Sequence, residues 1–255
     1  MPTDHIPTDN ISVQLWTLRE LVGDDLPGTL ARLAEVGLTK VEPYRIKDAE
    51  GLGDALKDSG LQAPTTHQVF IRDDSIADVA AAAASFGIGT VIDPVVAPEF
   101  WTDPADIRRT AERLNAAAAV AARHGVRVGY HNHAHELLNR VDGRPALEYF
   151  ATLLDPGVVL EVDTYWVAVG GEDPVDILSR LGDRVVAIHV KDGPATAEKK
   201  DQVPVGEGSL DIPAILAAAP QALRVIELDD SRMDRFDAVV QSFAYLSRLE
   251  HGGGQ

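Results

Sequence analysis

The residues V-R-V-G-Y-H-N-H-A-H-E, from Val126 to Glu136, decide how the chain is read. A short β-branched run stops abruptly in His131, Asn132, His133, His135 and Glu136. An apolar strand that ends in side chains able to bind metals or carry protons points to a site at that end. The plan recurs three times downstream. V-V-L-E-V-D ends at Asp163, V-V-A-I-H-V-K-D surrounds His189, and R-V-I-E-L-D-D surrounds Glu227. Each puts acids or imidazoles where a buried strand gives out, so the pattern predicts one cup with its chemistry at one rim.

Upstream the same alternation holds. Strands are expected at Ile11–Trp16, Val41–Tyr44, Leu61–His67 and Thr90–Asp93, then at Val126–Tyr130, Val158–Val162, Arg184–Val190 and Leu223–Leu228. Helical segments lie between them. Asp25 is a plausible N-cap with Pro27 in the first turn, and Gly37 suits the residue after the helix end. The Asp103-Pro104 and Asp173-Pro174 pairs each open a helix by placing Pro at the first helical position. A last helix is expected from about Arg232 to Leu249. Short, uniformly apolar strands alternating with helices argue for a parallel sheet covered on both faces. At this length that predicts an α/β fold, a closed (β/α)8 TIM barrel, as a single domain over 1–255 with its core at about 11–249. An open doubly wound sheet would favour a glycine-rich phosphate turn after the first strand, and Trp16-Thr17-Leu18-Arg19-Glu20 has none. The polar connection from Asp192 to Gly208 is long enough to be a functional lid or a disordered loop. The tail after Glu250 is expected to fray.

Composition excludes several classes. The 255 residues contain no cysteine, so disulfides, thiolate nucleophiles and Cys-ligated zinc are ruled out. No apolar run approaches the roughly 20 residues that cross a bilayer, which argues against a membrane protein. The N-terminus M-P-T-D-H-I-P-T-D-N lacks the charged and apolar regions of a signal peptide, making a cytoplasmic address the expectation. The net charge of −17 is spread along the chain and argues against nucleic acid as a partner, since a polyanion wants a basic face.

In a barrel, active residues collect at the C-terminal ends of strands. Those ends read Gln14 and Trp16, Glu42 and Tyr44, His67, Asp93, the His131–Glu136 cluster, Asp163, His189 with Lys191, and Glu227 with Asp229. Asp163, His189 and Glu227 come from three successive strands, so they can converge on a divalent ion. Mixed carboxylate and imidazole ligands suit Mn²⁺, Mg²⁺, Co²⁺ or Zn²⁺ without selecting sharply among them, and Mn²⁺ is the leading expectation. Strand five should add a fourth ligand. Glu136 is preferred there, with His131 the alternative; His131 and His133 then serve as acid/base groups. Trp16, Tyr44, Phe70, Tyr165 and Trp166 could offer flat apolar faces to a ring-shaped ligand. Glu42 and His67 are further binding candidates, Lys191 suits a hydroxyl or phosphate, and Glu207 on the long loop is placed to close over a substrate. Blander roles go to His135 and Lys199 as solvated residues, to Asp229 and Asp230 as caps of the last helix, and to Lys191-Asp192 as an ion pair shaping the loop.

Together G-Y-H-N-H-A-H-E-L, D-T-Y-W-V-A-V-G-G-E-D-P-V, I-H-V-K-D, V-P-V-G-E-G and V-I-E-L-D resemble the sugar phosphate isomerase/epimerase family of the xylose isomerase-like TIM barrels. V-Q-L-W-T-L-R at strand one and P-T-T-H at strand three fit it as well. The resemblance implies a divalent metal held by carboxylates and one histidine, and Asp163, His189 and Glu227 fall on those positions. Many relatives end strand five in a glutamate, where this chain has His131. That departure fits a subgroup with Y-H-N-H, which resembles inosose dehydratases and keto-sugar lyases as much as epimerases.

A site of this kind moves a proton at a carbon next to a carbonyl. A divalent ion stabilises the developing enediolate, and a base stands within reach of the C–H. His133, His131, Glu136 and Glu227 are the candidate catalytic groups. The leading expectation is a metal-dependent sugar isomerase or epimerase with a small-molecule sugar or keto-sugar substrate. A lyase or dehydratase acting on a 3-keto-glycoside or inosose is the rival. An abasic-site endonuclease is disfavoured by the acidic charge, and a non-catalytic sugar-binding protein would show affinity without turnover. Barrels of this kind often pair, which puts a homodimer among the expectations.

Overall fold

Seven parallel strands form one curled sheet in the computed structural model, which describes residues 10–73 and 75–252, with side chains as far as Leu249. The expected fraying tail falls largely outside the described residues. The strands are β1 (Ile11–Val13), β2 (Thr65–His67), β3 (Thr90–Asp93), β4 (Arg127–His131), β5 (Val159–Asp163), β6 (Val185–Val190) and β7 (Leu223–Ile226). Their order is β1-β7-β6-β5-β4-β3-β2. The expected second strand is present only as isolated parallel bridges. Gln14 bridges Glu42, Lys40 bridges Gln62, and Tyr44 bridges His67, so segment 40–44 runs between the two sheet edges. Pro43 has no N–H for a ladder, which suits a segment of single bridges.

Helices cover the outer face, and their starts follow the capping residues. Asp25 accepts from the Gly28 N–H at 2.9 Å, Asp103 from Ala105 at 2.7 Å and Asp173 from Val175 at 2.7 Å. The first of these helices stops at Gly37, whose φ of 104° a residue with a side chain rarely adopts. The last helix is capped by Asp234 and not by Asp229 or Asp230. Asp234 accepts from Phe236 and Asp237, whereas Asp230 binds the Ser231 N–H and Arg235. Among the described residues no helix is long and apolar enough to cross a membrane.

Alternation along the strands sorts side chains between the two faces. Outward residues such as Val128, Tyr130, Leu160 and Val162 join the main core beneath the helices. Ala187, Leu223 and Val225 form a small separate cluster inside the curl, below the polar strand ends. The β5–β6 register shifts by one residue between Leu160 and Glu161. That irregularity sets Asp163 opposite His189; an unbroken register would set it opposite Ile188, whose side chain faces the other way.

The connection from Asp192 onward is ordered. Asp192 Oδ1 accepts from the N–H groups of Gly193 (2.8 Å) and Leu210 (3.2 Å), and its Oδ2 from Gly206 (2.9 Å). Asp192 therefore shapes the loop through the backbone and not by pairing with Lys191.

Candidate active site

Four inward-facing side chains meet at the ends of β4 to β7: His131, Asp163, His189 and Glu227. One donor atom from each lies within 4.8 Å of all the others. His131 Nε2 is 3.7 Å from Asp163 Oδ2, and His189 Nδ1 is 2.7 Å from Glu227 Oε2. Asp163 splits its work. Its Oδ1 accepts from the Trp166 N–H at 2.9 Å and caps helix Thr164–Val169, while its buried Oδ2 faces the Lys191 ammonium at 2.8 Å. The Asp163 N–H is fixed by Asn132 Oδ1 at 3.0 Å.

Beneath this group lies a second carboxylate–imidazole layer built around Glu161. Glu161 Oε2 stands 2.5 Å from His67 Nε2, 3.1 Å from His131 Nδ1 and 3.1 Å from His189 Nε2. Its Oε1 is buried with no hydrogen-bond partner. Glu42 completes the floor, accepting from Gln14 Nε2 at 2.7 Å, from Thr65, and from His189 Nε2 at 2.9 Å. The layer orients the imidazoles above it. With Nδ1 of His131 donating to Glu161 and Nε2 of His189 donating to Glu42, the opposite nitrogens are left facing Asp163 and Glu227. His67, His131, Glu161 and His189 form an overlapping donor group. The upper group is the better dication site, because its two carboxylates balance the ion's charge and His131 and Glu227 open onto the cavity.

Electrostatics follow from this crowding. Burial alone would lower His189, yet Glu161 and Glu227 hold it well above the ordinary imidazole value. Burial would raise Glu227 and Glu161, but Lys191 with His189, and His189 with His67, hold these two carboxyls well below the usual range. Glu42 is raised, by burial and then by Glu161. His131 and His133 go down. Burial lowers both, reinforced by His189 at His131 and by His131 and Lys191 at His133, so His133 is a neutral imidazole at pH 7.

The cavity above has a volume of about 290 Å³ and is walled by Trp16, Tyr44, Arg45, His67, His133, Lys191 and Lys199 among others. This is the small end of ligand pockets and suits one sugar-sized molecule. Trp16 packs edge-on to Tyr44 with ring centroids 5.2 Å apart. His133 stands on the wall with Nδ1 buried and unpartnered.

Several expected residues sit elsewhere. Glu136 is in neither donor group. It accepts from the Tyr130 hydroxyl at 2.5 Å and the His133 N–H at 2.9 Å, on the outer face of the sheet. The reason is period two: Tyr130 points away from His131, and the short helix His135–Leu138 folds Glu136 over Tyr130. Strand five therefore presents His131 to the donor group. Glu42 is fully buried in the floor and not at the rim. Tyr165 is buried, with its hydroxyl on the Thr196 carbonyl at 3.0 Å, and Phe70 is buried as well. Trp166 is 5 % exposed and donates from Nε1 to Asp229 at 3.2 Å, behind the cavity lining. Glu207 lies on an exposed turn outside the lining. His135 is tied to the Val96 carbonyl at 3.1 Å.

Residues given bland roles, or none, also enter the site. Asp229 receives Lys191, Lys199 and Gln202, which excludes it from helix capping. Lys199, expected to be solvated, is exposed and also pairs with Asp229 at the cavity mouth. Glu161 left a signal: it stands two residues before Asp163 in an apolar strand, on the same face. Gln202 and Lys199 left none, because only the loop's path brings them in.

Acids and imidazoles gathered at the C-terminal ends of a curled parallel sheet lie where TIM-barrel enzymes carry their active sites. The chain belongs to the xylose isomerase-like TIM barrel family, whose profile matches residues 30–222. It is 26% identical over 204 residues to an inosose dehydratase of Geobacillus kaustophilus (strain HTA426), covering 74% of this chain and 63% of that protein. The chain thus matches less than two thirds of that relative's length. A sugar phosphate isomerase/epimerase from Parabacteroides distasonis ATCC 8503 shares the fold with a TM-score of 0.80 at 21% identity, over 96% of each chain. The IolI protein, solved with a zinc atom bound, shares it with a TM-score of 0.71 at 15% identity, over 94% of this chain and 97% of that one.

Proposed function

We propose that the chain is a divalent-metal-dependent enzyme that moves a proton at a carbon next to the carbonyl of a sugar or keto-sugar, as an isomerase or epimerase. The carrying observation is the convergence of His131, Asp163, His189 and Glu227 beneath a sugar-sized cavity. The donor set fits a dication. It offers two imidazole nitrogens and two carboxylates, with carboxyls on Glu161 and Glu42 in place to orient the imidazoles. When bound, the ion would act as a Lewis acid on the carbonyl and stabilise the enediolate charge. His133, neutral and on the cavity wall, takes the proton from carbon. Lys191 lines the same cavity and offers a positive charge to substrate oxygens, and Trp16 with Tyr44 covers the apolar face of the sugar. We read segment 40–44 as the eighth stave of the ring, the chain as one domain, and Mn²⁺ as the leading candidate ion.

A lyase or dehydratase on the same site is the second reading, favoured by the likeness to an inosose dehydratase. Here the proton is removed in the same way, and a leaving group next to the enolate departs. Incubating metal-loaded protein with a panel of keto-sugars in D₂O separates the two. Deuterium incorporation with changed stereochemistry supports the first reading, and loss of water or an aglycone the second. Asp163→Ala and Glu227→Ala are expected to abolish metal retention, while His133→Ala keeps the metal and loses turnover. Full metal content in both carboxylate variants overturns the ligand assignment.

A further inference from the structure

Lys191 follows β6 and is 1 % exposed. Its Nζ lies 2.8 Å from Asp163 Oδ2, 2.6 Å from Glu227 Oε2 and 2.7 Å from Asp229 Oδ2. The first two residues belong to the donor group; Asp229 does not. A buried ammonium and a dication cannot both keep those two oxygens, because the cations repel across a few ångströms of low-dielectric interior and compete for the same lone pairs. Asp229 is a separate anchor, held in place by Gln202 Nε2 at 3.0 Å, Trp166 Nε1 at 3.2 Å and Lys199 at 3.1 Å. Lys191 already donates a hydrogen bond to it, with the Trp166 ring 5.8 Å away.

Resting on the metal reading above, we infer that Lys191 is an exchangeable internal cation: it neutralises Asp163 and Glu227 in the metal-free protein and withdraws to Asp229 when a dication takes them. Without the lysine, Asp163, Glu227 and Asp229 would repel one another with only His189 and Lys199 left as cationic partners, so Lys191 stabilises the metal-free protein and weakens metal binding by the same contacts. On withdrawal its ammonium stands on the cavity wall beside Asp229, where it meets a substrate oxygen. Metal loading and completion of the substrate site are then one event.

The test measures Mn²⁺ affinity by calorimetry and Co²⁺ affinity by d–d absorption, in full-length wild type, Lys191→Met, Asp229→Asn and the double variant. Lys191→Met is expected to bind both ions at least about tenfold more tightly than wild type. Asp229→Asn leaves the lysine no retreat and is expected to weaken binding severalfold. In the Lys191→Met background that weakening should shrink by more than half on a logarithmic scale. Equal or weaker binding by Lys191→Met, confirmed with Lys191→Gln in case methionine packs badly, overturns lysine exchange and leaves the metal reading intact. So does an unchanged Asp229→Asn effect in both backgrounds, which would mean loss of charge alone. No binding of either ion by wild type and Lys191→Met overturns the metal reading and this inference with it.

Discussion

Glu161 and Glu136 show how a site is decided one side chain at a time. Both are fully buried carboxylates near the strand ends, yet Glu161 faces three imidazoles and Glu136 faces a tyrosine hydroxyl on the other side of the sheet. Burial pushes the Glu136 carboxyl up to about 8, against the lowering effect of Tyr130, from an ordinary 4.5. Between these values the folded apoprotein holds a proton that the unfolded chain has released. Stability contributed at this residue is therefore full below about pH 4.5 and falls as pH rises towards 8, by up to about 1.4 kcal/mol per pH unit. Glu136→Gln keeps a neutral acceptor and removes this dependence, so urea midpoints of variant and wild type are expected to diverge as pH rises from 5 to 8. Parallel profiles would show that Glu136 does not titrate there. The residue types at the strand ends were legible from sequence; which carboxyl turned inward was not. An acid five residues past a strand end has no parity to read, and a helical turn carried Glu136 over the outer face.

At the scale of elements, β4 is held between two neighbours at close quarters. A Cβ added at Gly129 would lie 2.7 Å from Ile92 Cδ1 and 2.8 Å from the Val159 carbonyl oxygen. The carbonyl belongs to a paired strand and cannot yield, so Gly129→Ala should destabilise by about 1–3 kcal/mol. Thermal melting should show it as a drop of several degrees, and an unchanged melting temperature would mean that β3, β4 and β5 pack more loosely than described. The caps at Asp25, Asp103 and Asp173 were readable because a cap is a local interaction over two or three residues. The one-residue shift between β5 and β6 was not readable. Register is settled by pairing between strands far apart in the chain, and neither V-V-L-E-V-D nor V-V-A-I-H-V-K-D carries a bulge signal such as glycine.

The whole molecule carries 40 acidic and 23 basic residues, and part of that excess is concentrated where a cation would relieve it. Glu42, Glu161, Asp163, Glu227 and Asp229 crowd one interior against Lys191 and the imidazoles. An ion that binds only the folded state raises stability by mass action, about 2.7 kcal/mol at a hundredfold excess over its dissociation constant. Titrating Mn²⁺ into the apoprotein should thus raise the melting temperature steadily with concentration, and Asp163→Ala should abolish the rise. A rise of equal size in Asp163→Ala would place the ion elsewhere.

Local order along the chain was enough to announce an α/β architecture, most strand positions and a rim of acids and imidazoles. Strand apolarity, helix caps and period-two alternation are all written within a few residues of where they act. Long-range contacts decided the rest. The bridges of segment 40–44, the register that turns His189 toward Asp163, the placing of Glu161 beneath both, and the loop that delivers Gln202 and Lys199 each join residues distant in sequence. Such contacts form only when the sheet curls and its strands choose their partners.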